Sequence, residues 1–370
     1  MINEKFFILT IVIASAYSLM QLLAWFGFRK IPAQKKQNTD QFNQFSIIVA
    51  FRNEAIHLSN FIRQLTQIQY PDSKYEIILI DDDSEDKSLT IAQSFETEKI
   101  IVAQSDGHGK KAAIQKGIQL SRFPYIVQTD VDCELPKNWL ISFNESFESE
   151  STKMIIAPLL IEGHQSKLEV LQQIESLGIW LYTAGFARLG IPIMANAGNM
   201  AYSKDVWKEV SLRADLSASG DDLFLMHGIR KKYGNSSIKV IRTKEALVRT
   251  HAEDKLKLLW QQRLRWAQKS KHFTNFSSVL IGSITIIAHL NLLVLFFASF
   301  IISELWFYFI VVLTMKAIGD LLITSTITSF YGKKNNYIAG VFYSIISILY
   351  VPLVGICSQI CTFEWKNRKY

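Results

Sequence analysis

Four clusters of residues in this 370-residue chain have the types and spacing that chemistry needs. Asp130 and Asp132 stand one residue apart at the end of the apolar run YIVQTDVD, so both carboxylates leave the strand on one side and can grip a hard divalent ion through oxygen. Mg2+ or Mn2+ held there would bridge to a diphosphate as a Lewis acid and offset the charge that collects on a nucleotide leaving group. Asp81, Asp82 and Asp83 follow a second apolar run, EIILI, where carboxylates can accept hydrogen bonds from a base or ribose. A helix cap is the rival reading, since Ser84 and Asp86 also stand where the next helix starts, yet three adjacent acids exceed what a cap requires. GHGKKAAIQKGI sets a glycine turn and Lys110 at a helix start, a geometry suited to phosphate through backbone N–H groups and a cation. Asp221 and Asp222 follow Gly220 at the head of DLFLMHGIRKKYG, where a carboxylate can take the proton of an attacking hydroxyl; an N-cap is again the alternative. The glycine turn lacks Walker spacing and no G-x-G-x-x-G follows the first strand, which argues against ATPase and nicotinamide chemistry.

Regular elements must hold these side chains in place. From Phe45 onward, SIIVAF, a helical stretch from Asn53 to Gln69, EIILIDDD, a helix around Leu89 to Phe95, KIIVAQ, a helix from Lys110 to Leu120 and YIVQTDVD alternate strand with helix. That alternation predicts a parallel sheet with helices on both faces, whose ligands bind at the carboxyl ends of the strands. Arg52, Asn53 and Glu54 end the first strand, the Asp81 triplet the second and the Asp130 pair the last, so the site belongs there. One further strand, MIIAPLLI, a helix from about Ser166 to Leu189 and a strand-like turn, ANAGNMAYS, lead to SGDDLF. From Asp254 to Lys271 a basic helix carries Leu256, Leu259, Trp260, Leu264 and Ala267 on one face, a stripe that suits either a membrane surface or packing on the protein's own core.

The ends of the chain are built differently. The composition is 49% hydrophobic with mean hydropathy +0.14, more than an ordinary soluble enzyme needs. No charge interrupts Phe6 to Phe28, which is long enough to cross a bilayer and longer than the apolar core of a cleavable signal peptide. Arg29, Lys30, Lys35 and Lys36 follow it, and the positive-inside tendency puts that flank in the cytoplasm and the amino terminus outside. Three more apolar stretches, about Ser278 to Ile302, Leu305 to Ile327 and Tyr337 to Ile360, are each long enough to span. Alternating sides would then place Lys333 and Lys334 in the cytoplasm but Lys366, Arg368 and Lys369 outside, against the charge rule. Lys316 and Asp320, four apart in the middle stretch, read as a self-satisfying structural pair. Cys133, Cys357 and Cys361 support neither a disulfide framework nor a cysteine zinc site, and a reducing compartment fits. The net charge of +7 includes six basic residues and no acid between Lys255 and Lys271, a run that suits phosphate-bearing partners, an anionic membrane surface or a merely solvated face; no nucleic-acid partner is expected.

As an ordered set, SIIVAFRNEA, IILIDDDSED, GHGKKAAIQKGI, TDVDC, ANAGNMAYSKDVW, SGDDLFL and QRLRW, over roughly Ser46 to Trp266, resemble the membrane-bound family-two nucleotide-sugar glycosyltransferases, the branch that includes hyaluronan, cellulose and chitin synthases and ceramide glucosyltransferase. The resemblance implies a GT-A fold, Rossmann-like and mostly parallel, with one amino-terminal and about three carboxy-terminal transmembrane helices, and an inverting single displacement. It implies donor contacts by Arg52, Glu54, Asp81, Asp82, Lys110 and Asp130, a metal on Asp132 with Asp130, and Asp222 as base with Asp221 second. Gly198 and Asn199 of ANAGNM would border the acceptor, and Gln262, Arg265 and Trp266 match Q-x-x-R-W, placed by the resemblance beside diphosphate and acceptor. The expected partners are a nucleotide-sugar, most simply a UDP-sugar, a lipid or polysaccharide acceptor and membrane lipid.

The expected organisation is an anchor over 1–30, a cytoplasmic catalytic domain over 45–253, an interfacial helix over 254–277, membrane helices over 278–362 and a tail over 363–370, in the inner or plasma membrane. Two departures stand out: the first strand lacks the proline common before the nucleotide-binding turn, and only about three spans follow the domain. Few spans favour transfer of one sugar to a membrane-borne acceptor over a processive polysaccharide synthase, which would need a partner subunit to complete a channel. A non-catalytic nucleotide-sugar-binding regulator or a transporter with a sensor domain would have lost a base or metal carboxylate, and this chain keeps them all.

Overall fold

The computed structural model describes residues 4–33, 41–147, 150–163, 166–211, 221–272, 275–332, 334–362, 364–365 and 368–369. Lys35, Lys36, Gly220, Lys333 and Lys366 lie outside the described residues, as does the side chain of Asp221. Along the chain run α1 (Glu4–Arg29), β1 (Phe45–Phe51), α2 (Ala55–Thr66), β2 (Tyr75–Asp81), α3 (Ser88–Gln93), β3 (Ile100–Gln104), α4 (Lys110–Leu120), β4 (Tyr125–Thr129), β5 (Cys133–Glu134) and α5 (Trp139–Ser146). Then come β6 (Met154–Ile156), β7 (Leu159–Glu162), α6 (Lys167–Arg188), β8 (Asn199–Ser203), α7 (Lys204–Ser211), α8 (Asp221–Tyr233), β9 (Ile238–Val240), β10 (Val248–His251) and α9 (Leu256–Gln268). Three long helices, α10 (Phe276–Ser299), α11 (Leu305–Phe330) and α12 (Tyr337–Ile360), precede the short strands β11 (Glu364–Trp365) and β12 (Arg368–Lys369). The chain divides into two units, one of residues 31–161 and 187–251, the other of residues 1–30, 162–186 and 252–370.

In the first unit a seven-stranded sheet has the order β3-β2-β1-β4-β8-β6-β9. The β1–β2, β2–β3, β1–β4 and β6–β9 pairs are parallel, and β8 runs antiparallel to both its neighbours. A small second sheet, β5-β10-β7, accompanies it. Strand alternation decides which helix covers which face. Phe45, Ile47, Val49 and Phe51 of β1 join Ile77 and Leu79 of β2 in a core with Leu58, Phe61, Ile62 and Leu65 of α2 and Trp139, Leu140 and Phe143 of α5. Ile48 and Ile80 point the other way, toward α4. There a Cβ added at Gly117 would lie 2.5 Å from Ile48 Cγ2 and 3.4 Å from Ile80 Cγ1. Gly117→Ala is therefore expected to lower stability by about 1–3 kcal/mol through overpacking, read as a lower melting temperature with donor affinity kept; an unchanged melt would remove the close packing of α4 on the sheet.

Two sequence expectations need correction. MIIAPLLI is not one strand but β6 and β7, in different sheets. Pro158 has no N–H to continue a ladder, and its carbonyl instead accepts from Val248 N (3.0 Å) and Asn199 Nδ2 (2.7 Å). The strand read through TDVD stops at Thr129, and Asp130 to Asp132 form a turn in which Cys133 N donates to Asp130 O (3.2 Å).

The second unit holds four helices, α1, α10, α11 and α12, long and apolar enough to cross a membrane. Helices α1 and α11 run in the same direction: Phe7 stacks on Tyr308 (4.1 Å) near one end, Trp25 Nε1 donates to Thr326 Oγ1 (3.0 Å), and Phe28 meets Phe330 (6.2 Å) at the other. An added Cβ at Gly319 would meet the amide of Gln21 at 2.0 Å, so this glycine lets the Gln21 side chain lie against α11. Lys316 Nζ reaches Asp320 Oδ2 (2.5 Å), Ser347 Oγ (2.8 Å) and Ser344 O (3.2 Å), while Gln21 Nε2 donates to Asp320 Oδ1 and Ser344 Oγ to Asp320 Oδ2, both at 2.8 Å. The pair is thus satisfied by groups from three helices. On α9 the stripe differs from the one read in the sequence: Leu259, Arg263 and Leu264 are buried, Trp260 and Ala267 are half-buried, and Leu256 is 68% exposed. The helix packs on α12 instead of lying free, with Gln268 Nε2 donating to Cys361 O (2.8 Å).

Candidate active site

The carboxyl ends of β1, β2 and β4 bring most of the expected donor residues together. Asp82 N donates to Phe51 O (2.8 Å), which carries the β1–β2 pairing one step past the strands. Arg52 is buried there, its guanidinium donating to Asp82 O (3.2 Å) and Glu85 Oε1 (2.9 Å) with Asp83 Oδ2 at 3.7 Å. Asn53 and Asp83 both have positive φ, 51° and 61°, a conformation that Asn and Asp tolerate better than other side chains. The two loops are stitched to each other: Asn53 N donates to Ser84 Oγ (3.0 Å), Glu85 N to Asn53 Oδ1 (2.8 Å), Glu54 N to Ser88 Oγ (2.7 Å) and Ala55 N to Asp86 Oδ2 (3.1 Å).

The acidic triplet divides its work. Asp81 is buried and its carboxylate takes the N–H of Ser84 (3.2 Å), so it holds the turn. Asp82 Oδ1 accepts from Gly109 N (2.6 Å), and Gly109, at φ 92°, makes the turn that starts α4. Burial raises the Asp82 carboxyl above its ordinary value, against the opposing pull of the Gly109 N–H, Arg52 and His108. Asp83 stays exposed. Lys110, next to Gly109, forms an ion pair with Asp130, joining the glycine turn to the end of β4.

Asp132 Oδ2 accepts from Thr250 Oγ1 (3.1 Å) at the end of β10, whose pairing with β5 sets Thr250 opposite Cys133. Burial, reinforced by Asp132 and Asp130, pushes the Cys133 thiol well above its ordinary value, so it stays protonated and is not a nucleophile. Among the described residues no three His, Cys, Asp or Glu side chains converge to hold a metal. The donor set still fits a hard cation: Mg2+-like ions take one or two carboxylates and complete their shell with water and phosphate oxygens, and Asp130 and Asp132 flank one turn.

The turn before β8 links this end of the sheet to the candidate base. Asp222 is 4% exposed near the start of α8; its Oδ2 accepts from Ala197 N (3.2 Å) and its Oδ1 from Leu223 N (2.8 Å). In the next residue, an added Cβ at Gly198 would meet Leu159 Cδ1 at 2.5 Å and Asp130 Oδ2 at 3.4 Å. Ala197 is therefore bonded to Asp222, and the space beside Gly198, where a side chain would start, opens toward Asp130. Asn199 is fully buried, its Nδ2 donating to Pro158 O (2.7 Å) and Ala246 O (2.8 Å) and its Oδ1 accepting from Trp139 Nε1 (2.9 Å). That side chain pins the turn. Nothing local to Trp139 or Thr250 singles them out, because their partners are 60 and 118 residues away. Asp221 opens α8. Gln262, Arg265 and Trp266 lie on α9 in the other unit.

Residues 46–210 match the family model of glycosyl transferase family 2. The chain is 26% identical over 236 residues to beta-monoglucosyldiacylglycerol synthase of Trichormus variabilis, covering 60% of this chain and 48% of that protein. It is 32% identical over 98 residues to glycosyltransferase AglE of Haloferax volcanii, covering 26% of this chain and 32% of that protein. The first of these matches spans about half the length of the relative, the second about a third. A solved structure, mannosyltransferase PcManGT from Pyrobaculum calidifontis in complex with GDP-Man and Mn2+, superposes with TM-score 0.62 at 14% identity, over 92% of this chain and 98% of that one. Sheet order and shared fold agree on a GT-A fold, within which residues 46–210 match the glycosyl transferase family 2 model.

Proposed function

We propose that the chain is an inverting glycosyltransferase that moves a sugar from a nucleotide-sugar, a UDP-sugar in the simplest case, to a hydroxyl of a membrane lipid. The observation that carries this reading is the Ala197–Gly198 turn, bonded to the candidate base Asp222 at Ala197 and facing the donor-side carboxylate of Asp130 at Gly198. Arg52, Glu54, Asp81 and Asp82 frame the nucleoside end at the β1 and β2 tips. Lys110 stands at the start of α4, where a cation and backbone N–H groups favour phosphate, and its pair with Asp130 holds both side chains in place before the donor arrives. Asp130 and Asp132 would hold Mg2+ or Mn2+, which supplies charge neutralisation at the diphosphate when bound. Asp222, kept in one orientation by two backbone N–H groups, takes the proton of the acceptor hydroxyl as it attacks the anomeric carbon. Asn199 fixes the turn, Gly198 leaves room beside Asp130, and Gln262, Arg265 and Trp266 act on diphosphate and acceptor. The lipid acceptor is supported by four helices able to cross a membrane and by the diacylglycerol named in the Trichormus relative. Nucleotide release over a panel of nucleotide-sugars, in membranes supplied with lipid extracts, tests the reading; one sugar per lipid supports it, a polymer ladder or no lipid-dependent release overturns it.

Arg29 and Lys30 favour the cytoplasmic side for the end of α1 and for the catalytic domain after it. The bond from Gln268 to Cys361 ties the end of α12 to the segment just before α10, so Arg368 and Lys369 belong on the cytoplasmic side as the charge rule prefers. A green fluorescent protein fused after Tyr370 is expected to fluoresce, and alkaline phosphatase fused there to be inactive. Active phosphatase would show that α12 crosses and leaves the tail outside.

A further inference from the structure

The network around α9 gives work to Arg263, an unspecified position within Q-x-x-R-W, and to Glu175, outside that motif. Gln262 and Trp266 lie about one turn apart on one face of the helix, with Arg263 beside that face. Arg263, 4% exposed, donates through Nη1 to Gln262 Oε1, and its guanidinium lies 4.4 Å from the centre of the Trp266 ring. One cation therefore touches both side chains. It is itself held by α6, where Glu175 Oε2 accepts from Arg263 Nε (2.9 Å) and Nη2 (2.5 Å). The other end of the Gln262 amide is taken as well, since its Nε2 donates to Glu253 Oε1 (3.1 Å). Glu253 is fixed to the same helix by reciprocal bonds one turn before Glu175: Gln172 Nε2 to Glu253 O (2.8 Å) and Glu253 N to Gln172 Oε1 (3.0 Å).

We propose that Glu175 and Arg263 are a positioning pair for the transfer reaction, with α6 as the template that sets the amide direction of Gln262 and the ring plane of Trp266. The inference rests on the reading that Gln262 and Trp266 act on diphosphate and acceptor. A guanidinium suits the task because its planar fork can bond a carboxylate and an amide while stacking on an indole, which a lysine ammonium cannot do. A pair this deeply buried adds little net stability compared with an apolar substitute, so its use lies in fixing geometry.

The test uses the full-length protein in membranes. Glu175→Gln and Arg263→Lys are expected to lower kcat about 10- to 100-fold by displacing two groups from productive geometry, while donor KM stays within about twofold. Glu175→Asp should recover part of the loss. In a background that lacks both positioned groups, Gln262→Ala with Trp266→Ala, the Glu175→Gln change should cost no more than about twofold further, because residues acting as one unit are not additive. Wild-type kcat in Glu175→Gln, or a Glu175→Gln loss that adds fully in that background, overturns the proposal. Glu175→Gln in place of a folded protein gives an aggregate only if the pair is structural, and then Arg263→Lys and Glu175→Asp, which keep both charges, must show the kcat loss or the proposal fails. Loss of the broader functional reading is seen separately, as the absence of lipid-dependent nucleotide release in the wild type.

Discussion

Asp222→Asn is expected to bind the donor with wild-type affinity and to lose turnover by about 100- to 10,000-fold, the range that general-base assistance contributes. Asparagine keeps the size and one carbonyl oxygen, so one of the N–H bonds from Ala197 or Leu223 survives and the turn stays in place. What it lacks is a lone pair basic enough to accept the acceptor's proton. Donor affinity should be unaffected because the groups proposed to frame the donor are anchored elsewhere, on the β1, β2 and β4 ends and on α4. Equilibrium titration with the donor and a nucleotide-release assay separate the two effects. Unchanged turnover would remove Asp222 as base and leave Asp221, one residue earlier, as the carboxylate to test.

Asp132→Asn should show the opposite split. Its bond from Thr250 can persist through the remaining oxygen, so the turn that follows β4 is expected to fold. One of the two proposed cation ligands loses its charge, and donor affinity measured with Mn2+ should fall about 10- to 100-fold, the loss typical when a metal site is disturbed. Affinity measured with a chelator present should match the wild type under the same condition. A variant that keeps the wild-type difference between the two conditions would move the cation away from this turn. The two variants together test whether charge neutralisation and proton removal are divided between residues that meet across the Ala197–Gly198 turn.

The parts of this protein legible in its sequence are those decided within a few neighbours. Runs such as SIIVAF and EIILI are apolar on both faces because β1 and β2 are covered on both sides, and they were readable as buried parallel strands. Helix α4 was readable from its glycine turn to its last residue, Leu120. The long apolar stretches gave α10, α11 and α12 to within three residues at their ends. What the sequence hid depends on distant partners. MIIAPLLI looks continuous, and only the placement of β10 and Asn199 against Pro158 shows why it breaks into two sheets. Asp81, Asp82 and Asp83 are chemically alike in the sequence, and only burial and the positions of Ser84 and Gly109 give them three separate environments. Likewise Leu256 and Leu259 share one side of a helical wheel, but only Leu259 is buried in the fold.

The ammonium and carboxylate inside the second unit also bear on how the chain is made. As the ribosome delivers it, α1 leaves the tunnel early and carries Gln21, α11 follows hundreds of residues later with both charges, and α12 brings Ser344 and Ser347 last. A charged helix waiting in the translocon without those hydroxyls is costly to release into lipid, so α11 should linger there until α12 has emerged. The order of biogenesis thus sets α12 as the piece whose arrival lets the helices of this unit close.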